Sequence, residues 1–429
     1  MKRFYFLVFA PLLLIVGGWQ PLAAAIIDGA EVPTHQVSSK TCKECHKEIY
    51  KQWSGSMHAQ STALKDPIHG AFYKQLVGDP THEGLKKGGK YPVCLQCHAP
   101  NAAKDGKTKL DEMAAYEEGV NCVACHTLAG YKGIQGEKGM RLGVQAYESS
   151  DQLQGANGFL HEQGAAADQL RAAFEESGDL NPHLGRDNRG ASYMEEDESK
   201  ELDLPMGRSS MLKGSQACLG CHDKRNNPNK VALCQTGDEY EEGKSRETCQ
   251  SCHMPVVNGV VSHAMGGGHD GAMLKRAVKM DLKVAKQGDR LQITTQLENH
   301  QPHNVPTGAP FRNLALKVTA LSATGEVLWV NYQKHPMKED PQSYFLYGMT
   351  DDEGKPAPPP KATKAGKDTR LRPFEQRQLQ HEIAAAGVDS VRAELYYNLL
   401  WAGLAKKLKQ LPADLKAPKR IAWAEAVVR

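Results

Sequence analysis

Five short segments of this chain repeat one pattern at irregular intervals. Cys42-Lys-Glu-Cys45-His46, Cys94-Leu-Gln-Cys97-His98, Cys122-Val-Ala-Cys125-His126, Cys218-Leu-Gly-Cys221-His222 and Cys249-Gln-Ser-Cys252-His253 all read Cys-x-x-Cys-His. Together they use ten of the eleven cysteines. Two thiols at this spacing can add to the two vinyl groups on one edge of a porphyrin, and the adjoining histidine then ligates the iron axially. Structural zinc sites also use Cys-x-x-Cys, but they do not require a histidine directly after each second cysteine. Redox dithiols normally occur once per domain, beside a βαβ pattern. Five motifs of one form predict five covalently attached haem c groups. The ten motif cysteines would hold them, and His46, His98, His126, His222 and His253 would be the proximal iron ligands.

The aliphatic content is an independent argument. Ile, Leu, Val and Phe number 34 among the 238 residues of 36–273, and 34 among the 156 residues of 274–429. These are about 14% and about 22%, and a chain below about 20% ordinarily fails to bury enough carbon to offset its entropy. Porphyrins supply the missing apolar core, so residues 36–273 are expected to form a pentahaem domain that folds only with haem attached. Short helices should carry the motifs, among long loops and with almost no sheet. The first cysteines lie 52, 28, 96 and 31 residues apart. The two short intervals suggest haem pairs at motifs two with three and four with five. Tyr116-Glu-Glu-Gly119 and Tyr240-Glu-Glu-Gly243, each just before the second motif of such a pair, suggest a duplication. Between motifs three and four, Glu162 to Glu176 reads as a helix and Ser177 to Lys200 as loops.

From residue 274 the pattern changes. Val278, Met280, Leu282 and Val284 alternate with polar residues, as do Leu291, Ile293, Thr295 and Leu297 after a Gln287-Gly-Asp289 turn. Leu314 to Ala320, Glu326 to Tyr332, Leu379 to Ile383, Val391 to Tyr397 and Ile421 to Val428 continue the series. Period-two runs between turn residues predict antiparallel strands, here a small β-sandwich over 274–429. Ala402 to Gln410 reads as one short helix. The expected class is therefore α+β and multidomain: a mostly α-helical, loop-rich multihaem domain followed by a small antiparallel β-sandwich.

The first 25 residues resemble an export signal: Lys2 and Arg3, an apolar run from Phe4 to Val16, then small residues ending at Ala25. The working protein is then expected in the periplasm or outside the cell. Formal charge is +3, from 53 basic and 50 acidic residues, which argues against a nucleic-acid partner. Without Lys2 and Arg3 it is +1. With the propionates of five haems ionised it becomes about −9, enough to steer a basic redox partner. The eleventh cysteine, Cys234, is expected to be a buried, inert thiol.

Three stretches resemble one known family. They are Gln52-Trp-Ser-Gly-Ser-Met-His-Ala59, Glu118-Gly-Val-Asn-Cys122 and Glu247-Thr-Cys-Gln-Ser-Cys-His-Met-Pro255. The family is the cytochrome c-554 group, which includes the tetrahaem electron acceptor of hydroxylamine oxidoreductase. His303-Asn-Val-Pro-Thr-Gly308 resembles the opening of the β domain in larger relatives. The resemblance implies a helical domain of stacked haems and a role in electron transfer. The fifth haem and the C-terminal β domain are departures from the tetrahaem members.

Twelve further histidines can supply distal ligands. His58 is foremost, 12 residues after His46 and close to Trp53, in an approximate match to the family's Trp-x-x-Ser-x-x-His pattern. His263 and His269 flank Met265-Gly-Gly-Gly268, a segment able to wrap a porphyrin edge. His303 sits in the motif at the domain junction. His161 and His183 rank below these, while His69, His82, His335 and His381 read as ordinary surface or loop residues. Met206, Met254 and Met265 are alternative ligands, though methionine is more often packing.

The expected role is that of a carrier passing electrons along a haem chain between redox partners, such as other cytochromes or a quinol-linked donor in a membrane-associated complex. Two alternatives are an oxidoreductase acting on a small nitrogen or sulfur compound at an open haem, and a subunit of a conductive filament. Five haems per chain should be found by a pyridine haemochrome assay with intact mass on the mature protein. Zinc in place of iron, or haem extracted by acid acetone, would refute the covalent assignment.

Overall fold

The computed structural model describes residues 25–137, 139–155, 183, 202–257 and 259–429. The expected export signal, apart from Ala25, lies outside these residues. So do His161, the helix expected at Glu162 to Glu176, and all of the expected loop Ser177 to Lys200 except His183. No helix among the described residues is long and apolar enough to cross a membrane.

The C-terminal region is built of nine strands. They are β1 (Val278–Gln287), β2 (Arg290–Asn299), β3 (Asn313–Leu321), β4 (Val327–Val330), β5 (Tyr344–Thr350), β6 (Lys364–Asp368), β7 (Gln376–Ala384), β8 (Ser390–Asn398) and β9 (Lys419–Val427). Strands β1-β2-β7 form one antiparallel sheet. Strands β6-β5-β3-β8-β9 form a second, with β4 also paired to β3. The first hairpin pairs Gln287 with Arg290, and Gly288 takes φ +62°, a left-handed conformation that glycine adopts without steric cost. Alternation then decides which face is inside. Leu291, Ile293 and Leu297 of β2 and Leu379 and Ile383 of β7 meet Leu314, Leu316 and Val318 of β3 and Val391 and Leu395 of β8 in one core. The helix Ala402–Lys407 adds Leu404 to it.

Two strands escaped the period-two reading. Strand β5, Tyr-Phe-Leu-Tyr-Gly-Met-Thr, has apolar residues facing both ways and therefore shows no alternation. Strand β6 is a polar edge of Lys-Ala-Gly-Lys-Asp.

Before residue 274 the expectation of almost no sheet is corrected. Six small sheets occur there among the described residues, including Leu128–Tyr131 with Tyr147–Ser149 and a parallel pair of Leu153–Gly155 with Met206–Arg208. Overall, strand accounts for 31% of the structure and helix for 26%, an α+β composition. The ladders have a simple cause. Loop segments wrapped round large groups still need partners for their backbone N–H and C=O groups, and two- to four-residue pairings provide them. Residues 25–35 also belong to this region: Ala25 is buried with Val37, Val123, Leu153 and Leu204.

One helix joins the two regions. Asp66 caps the helix Pro67–Leu76 by accepting from Ile68 N at 2.8 Å. Ile68 and Phe72, one turn apart, face the β core, and Phe72 stacks on Phe311 at 5.6 Å. Tyr73 faces the other way, into a cluster with Leu95 and Tyr116.

A buried polar knot locks the connection after β4. Asp340 accepts from Asn331 Nδ2 at 2.7 Å, from Ser343 Oγ at 2.5 Å and from His381 Nε2 at 2.8 Å. His381, expected at the surface or in a loop, thus lies on β7 with its side chain buried. Burial raises the Asp340 pKa, but these hydrogen bonds outweigh it and hold the group at about 2. A depressed carboxylate contributes stability above its unfolded pKa, about 3.9, and that contribution is lost as pH falls through the folded value. Urea unfolding followed by circular dichroism should therefore show wild type losing stability relative to Asp340→Asn between about pH 4 and about pH 2. Parallel profiles for the two proteins would refute this.

Candidate multihaem site

Each attachment motif lies on or directly after a helix of one to two turns. The helices are Ser39–Lys43, Leu95–His98, Cys122–His126, Gln216–His222 and Cys249–His253. In a helix, positions i, i+3 and i+4 share a face, so both thiols and the histidine point the same way. Helices this short are not stable alone. Asn121 caps the third by accepting from Ala124 N at 3.0 Å, and Thr248 caps the fifth. None of the eleven cysteines is in a disulfide.

Every motif histidine faces one other histidine. Ring centroids lie 6.2 Å apart for His46 and His183, 6.4 Å for His126 and His263, and 6.4 Å for His253 and His303, with interplanar angles of 24°, 19° and 25°. His58 meets His222 edge-on at 5.9 Å. His69 lies against His98 at 3.9 Å. Two imidazole nitrogens each about 2 Å from one metal ion put the ring centroids about 6 Å apart. Four of the five pairs therefore fit an iron between the rings. The His69–His98 pair must widen by about 2 Å to do the same.

Seven of the ten facing imidazoles donate through Nδ1 to a backbone carbonyl, whereas Nδ1 of His58 is buried without a partner. Nδ1 of His98 and Nδ1 of His69 both point at Ser61 O, at 3.0 and 2.9 Å. Nδ1 of His126 meets Gln154 O, that of His183 meets Leu204 O and that of His253 meets Gly266 O. Nδ1 of His263 meets Val261 O and that of His303 meets Asn304 O. A carbonyl only accepts, so Nδ1 carries the proton and the Nε2 lone pair is free for a metal. Burial lowers the pKa of His98, His126, His183, His222, His263 and His303, and that of His58 to about 4. These rings are then uncharged at neutral pH, the form that binds iron.

The sequence stretches that resemble the cytochrome c-554 group hold this arrangement together. Glu118 accepts from Ser38 Oγ at 2.6 Å, Ser39 N at 2.8 Å and Asn121 Nδ2 at 3.1 Å, which ties the first motif helix to the third. Gly119 takes φ +70°, and a Cβ there would lie 2.5 Å from His58 O. Val120 accepts from Trp53 Nε1 at 2.9 Å, and its own N–H donates to His58 O at 3.0 Å. Gln52 Oε1 accepts from His263 N at 2.8 Å.

Contacts between thiols order the motifs in space. Cys42 and Cys122, Cys97 and Cys221, and Cys218 and Cys249 lie near enough to bear on each other electrostatically. Motif four thus touches motifs two and five, and motif one touches motif three. Cys125 of motif three also bears electrostatically on Cys218 and Cys221. The expected pairing of motifs two and three is corrected to two with four and one with three, because the Glu118 knot fastens motif three to motif one.

Among the distal candidates, His58, His263 and His303 each face a motif histidine. His269 does not. Its loop wraps motif five as expected, but the group it offers His253 is the Gly266 carbonyl, and the His269 carbonyl accepts from Lys419 on β9. Two residues ranked lower sit at the site instead. His183 faces His46, and His69, read as a surface or loop residue, is half-buried against His98, with its Nε2 buried and Tyr73 edge-on to it. The capped helix start at Asp66-Pro67 and the aromatic at i+4 were the available signal for His69. No local pattern marks His183. Cys234 is half-buried, with Sγ 3.7 Å from His222 O, and burial raises its pKa.

Comparison with known proteins agrees with this geometry. The family described as cytochrome c554 and c-prime matches residues 41–127. The crystal structure of a penta-heme cytochrome c552 from Thermochromatium tepidum is similar at 54% identity and TM-score 0.85, over 92% of this chain and 100% of that one. A beta-glucosidase 3B from Thermotoga neapolitana aligns at 13% identity over 35% of this chain and 16% of its own, with a TM-score of 0.10 that carries no argument. No curated protein matches the chain significantly. Five complete attachment motifs, ten facing imidazoles and full-length similarity at this level show that the chain belongs to the penta-haem c-type cytochromes, multihaem electron-transfer proteins with five covalently bound haems.

Proposed function

We propose that this cytochrome is an exported electron carrier in which each iron is held by two histidines. The pairs are His46 with His183, His98 with His69, His126 with His263, His222 with His58, and His253 with His303. The observation that carries the proposal is the pairing itself: five motif histidines face five different partners. The haem irons supply one-electron redox chemistry. The chain's part is to fix both ligands, exclude small molecules from the metal and keep reorganisation small.

The thiol contacts favour a route from motif one through three to four, with branches to two and five. Motif one is the open end: Lys43, Glu44 and Cys45 are exposed, whereas the Val123 and Ala124 pair inside motif three is buried. Electrons would be exchanged with a partner protein there. The N-terminal export pattern supports a periplasmic or extracellular location. The near-balanced charge supports redox proteins, rather than nucleic acid, as partners.

One observation favours a second reading, a small-molecule oxidoreductase with an open iron at motif two. His69 and His98 touch at 3.9 Å and share the Ser61 carbonyl, so this pair is the least ready to accept a metal between its rings.

Electron paramagnetic resonance of the oxidised holoprotein separates the two. Five low-spin haems are expected in wild type, and one should become high-spin in His58→Ala and in His69→Ala with all five haems retained. An unchanged spectrum in either variant would remove that histidine from the ligand set. A high-spin haem in wild type, with turnover of nitrite or hydroxylamine at about 1 per second or more, would establish the enzyme instead.

A further inference from the structure

Arg312, in the loop between β2 and β3, carries a charge that no carboxylate among the described residues meets. No ion pair within 4.0 Å involves Arg312 or Lys419 among the described residues. Arg312 Nη1 donates to Thr307 O at 3.1 Å, while its Nε is buried without a partner. The guanidinium lies between two glycines. A Cβ on Gly308 would come 3.0 Å from Nη1, and one on Gly268 would come 3.2 Å from Cζ and 2.5 Å from the Tyr397 hydroxyl. Two bare backbones therefore make room for the charge and for that hydroxyl.

Other donors converge on the same place. Lys419 donates to His269 O at 3.2 Å and feels Arg312 as a like charge. His269 is held near 4 by burial, Arg312 and Lys419 in that order, so at neutral pH it offers a neutral ring. The acidic groups that bear on the cluster are Asp66, Asp270 and Asp414. Asp66 and Asp270 cap helices through Ile68 N and Met273 N. The positive field reaches motif four, because Arg312 bears on His222. Arg312 is half-buried, and a guanidinium drawn partly out of water with a buried Nε left unpaired is costly unless something anionic joins it.

We propose that Arg312, Lys419, His269 and the Tyr397 hydroxyl form an anion seat at the junction of the haem-bearing and β regions, taking a carboxylate or oxyanion beside the motif-four haem. Guanidinium and ammonium groups bind either through charge-assisted hydrogen bonds. The carboxylate can be a haem propionate, and the oxyanion can be free phosphate. The seat stands apart from the choice of distal ligands, which spin-state counting tests separately.

The test is a spectroelectrochemical titration of the holoprotein, wild type against Arg312→Gln, with and without added phosphate. Haem content and circular dichroism confirm folding. A positive charge favours the reduced haem, so removing it should lower one midpoint potential. A tenfold change in that haem's reduction equilibrium is about 59 mV for a one-electron couple. Arg312→Lys should keep most of the wild-type potential. If a propionate fills the seat, wild type does not respond to phosphate. If free oxyanion fills it, the wild-type potential moves with phosphate and Arg312→Gln abolishes the response. Either result supports the seat. Identical potentials in wild type and Arg312→Gln, with no phosphate response, overturn it. Should Arg312→Gln fail to fold, Lys419→Gln is read in the same way.

Discussion

Backbone carbonyls that hold imidazole rings are the interaction on which this molecule depends. A histidine ring is a useful iron ligand only when neutral and aimed; burial keeps these rings neutral and a carbonyl on Nδ1 aims them. Each such carbonyl must itself be fixed, which makes the loops between motifs structural parts. Ser61 O serves two rings, and Gln154 O sits on the parallel ladder between Leu153–Gly155 and Met206–Arg208. The small ladders before residue 274 therefore place carbonyls more than they build a sheet. Their cores are small, such as the five buried residues around Val123, which agrees with a region that leans on porphyrin for its apolar interior.

The segment from Glu118 to Asn121 shows how few residues can do this. Glu118 gathers the first motif helix, Gly119 lets the chain pass close to His58 O, Val120 receives Trp53, and Asn121 caps the third motif helix. Four consecutive residues thereby fix two motifs and one distal candidate. Each acts through backbone groups or one short side chain.

Much of the fold was legible for one physical reason. Attachment motifs are local, since helix geometry makes two thiols and a histidine share a face at fixed spacing. Alternating strands are local too, and β2, β3 and β8 could be read from Leu291-Gln-Ile293, Leu314-Ala-Leu316 and Val391-Arg-Ala393. Strand β5 was hidden because both its faces are apolar. Facing histidines are not local: His46 meets a residue 137 positions away, and His69 belongs to a helix whose other face serves the β core. A glycine-rich loop beside motif five suggested His269 as a ligand because it predicts wrapping. It does not say whether a side chain or a carbonyl makes the contact, and here it is Gly266 O.

The β region carries no attachment motif, yet it shapes the haem region through charge. Arg370, beside β6, is buried and pairs with the buried Glu239 at 2.6 Å, while Glu239 also accepts from Thr307 Oγ1 and Asn304 N. Asn304 in turn offers its carbonyl to His303, which faces His253. Arg370 also pairs with Asp368, so it is loss of Arg370 that would leave Glu239 as a buried uncompensated charge, which typically costs about 3–5 kcal/mol. That penalty falls on the loop carrying His303, so the sheets set the position of a distal candidate at motif five. Arg312 leaves the same loop toward motif four with no carboxylate partner among the described residues. One loop of the β region thus holds one motif by neutralised charge and reaches the next with charge left open, which gives a region without haem a means of setting two haems apart in potential.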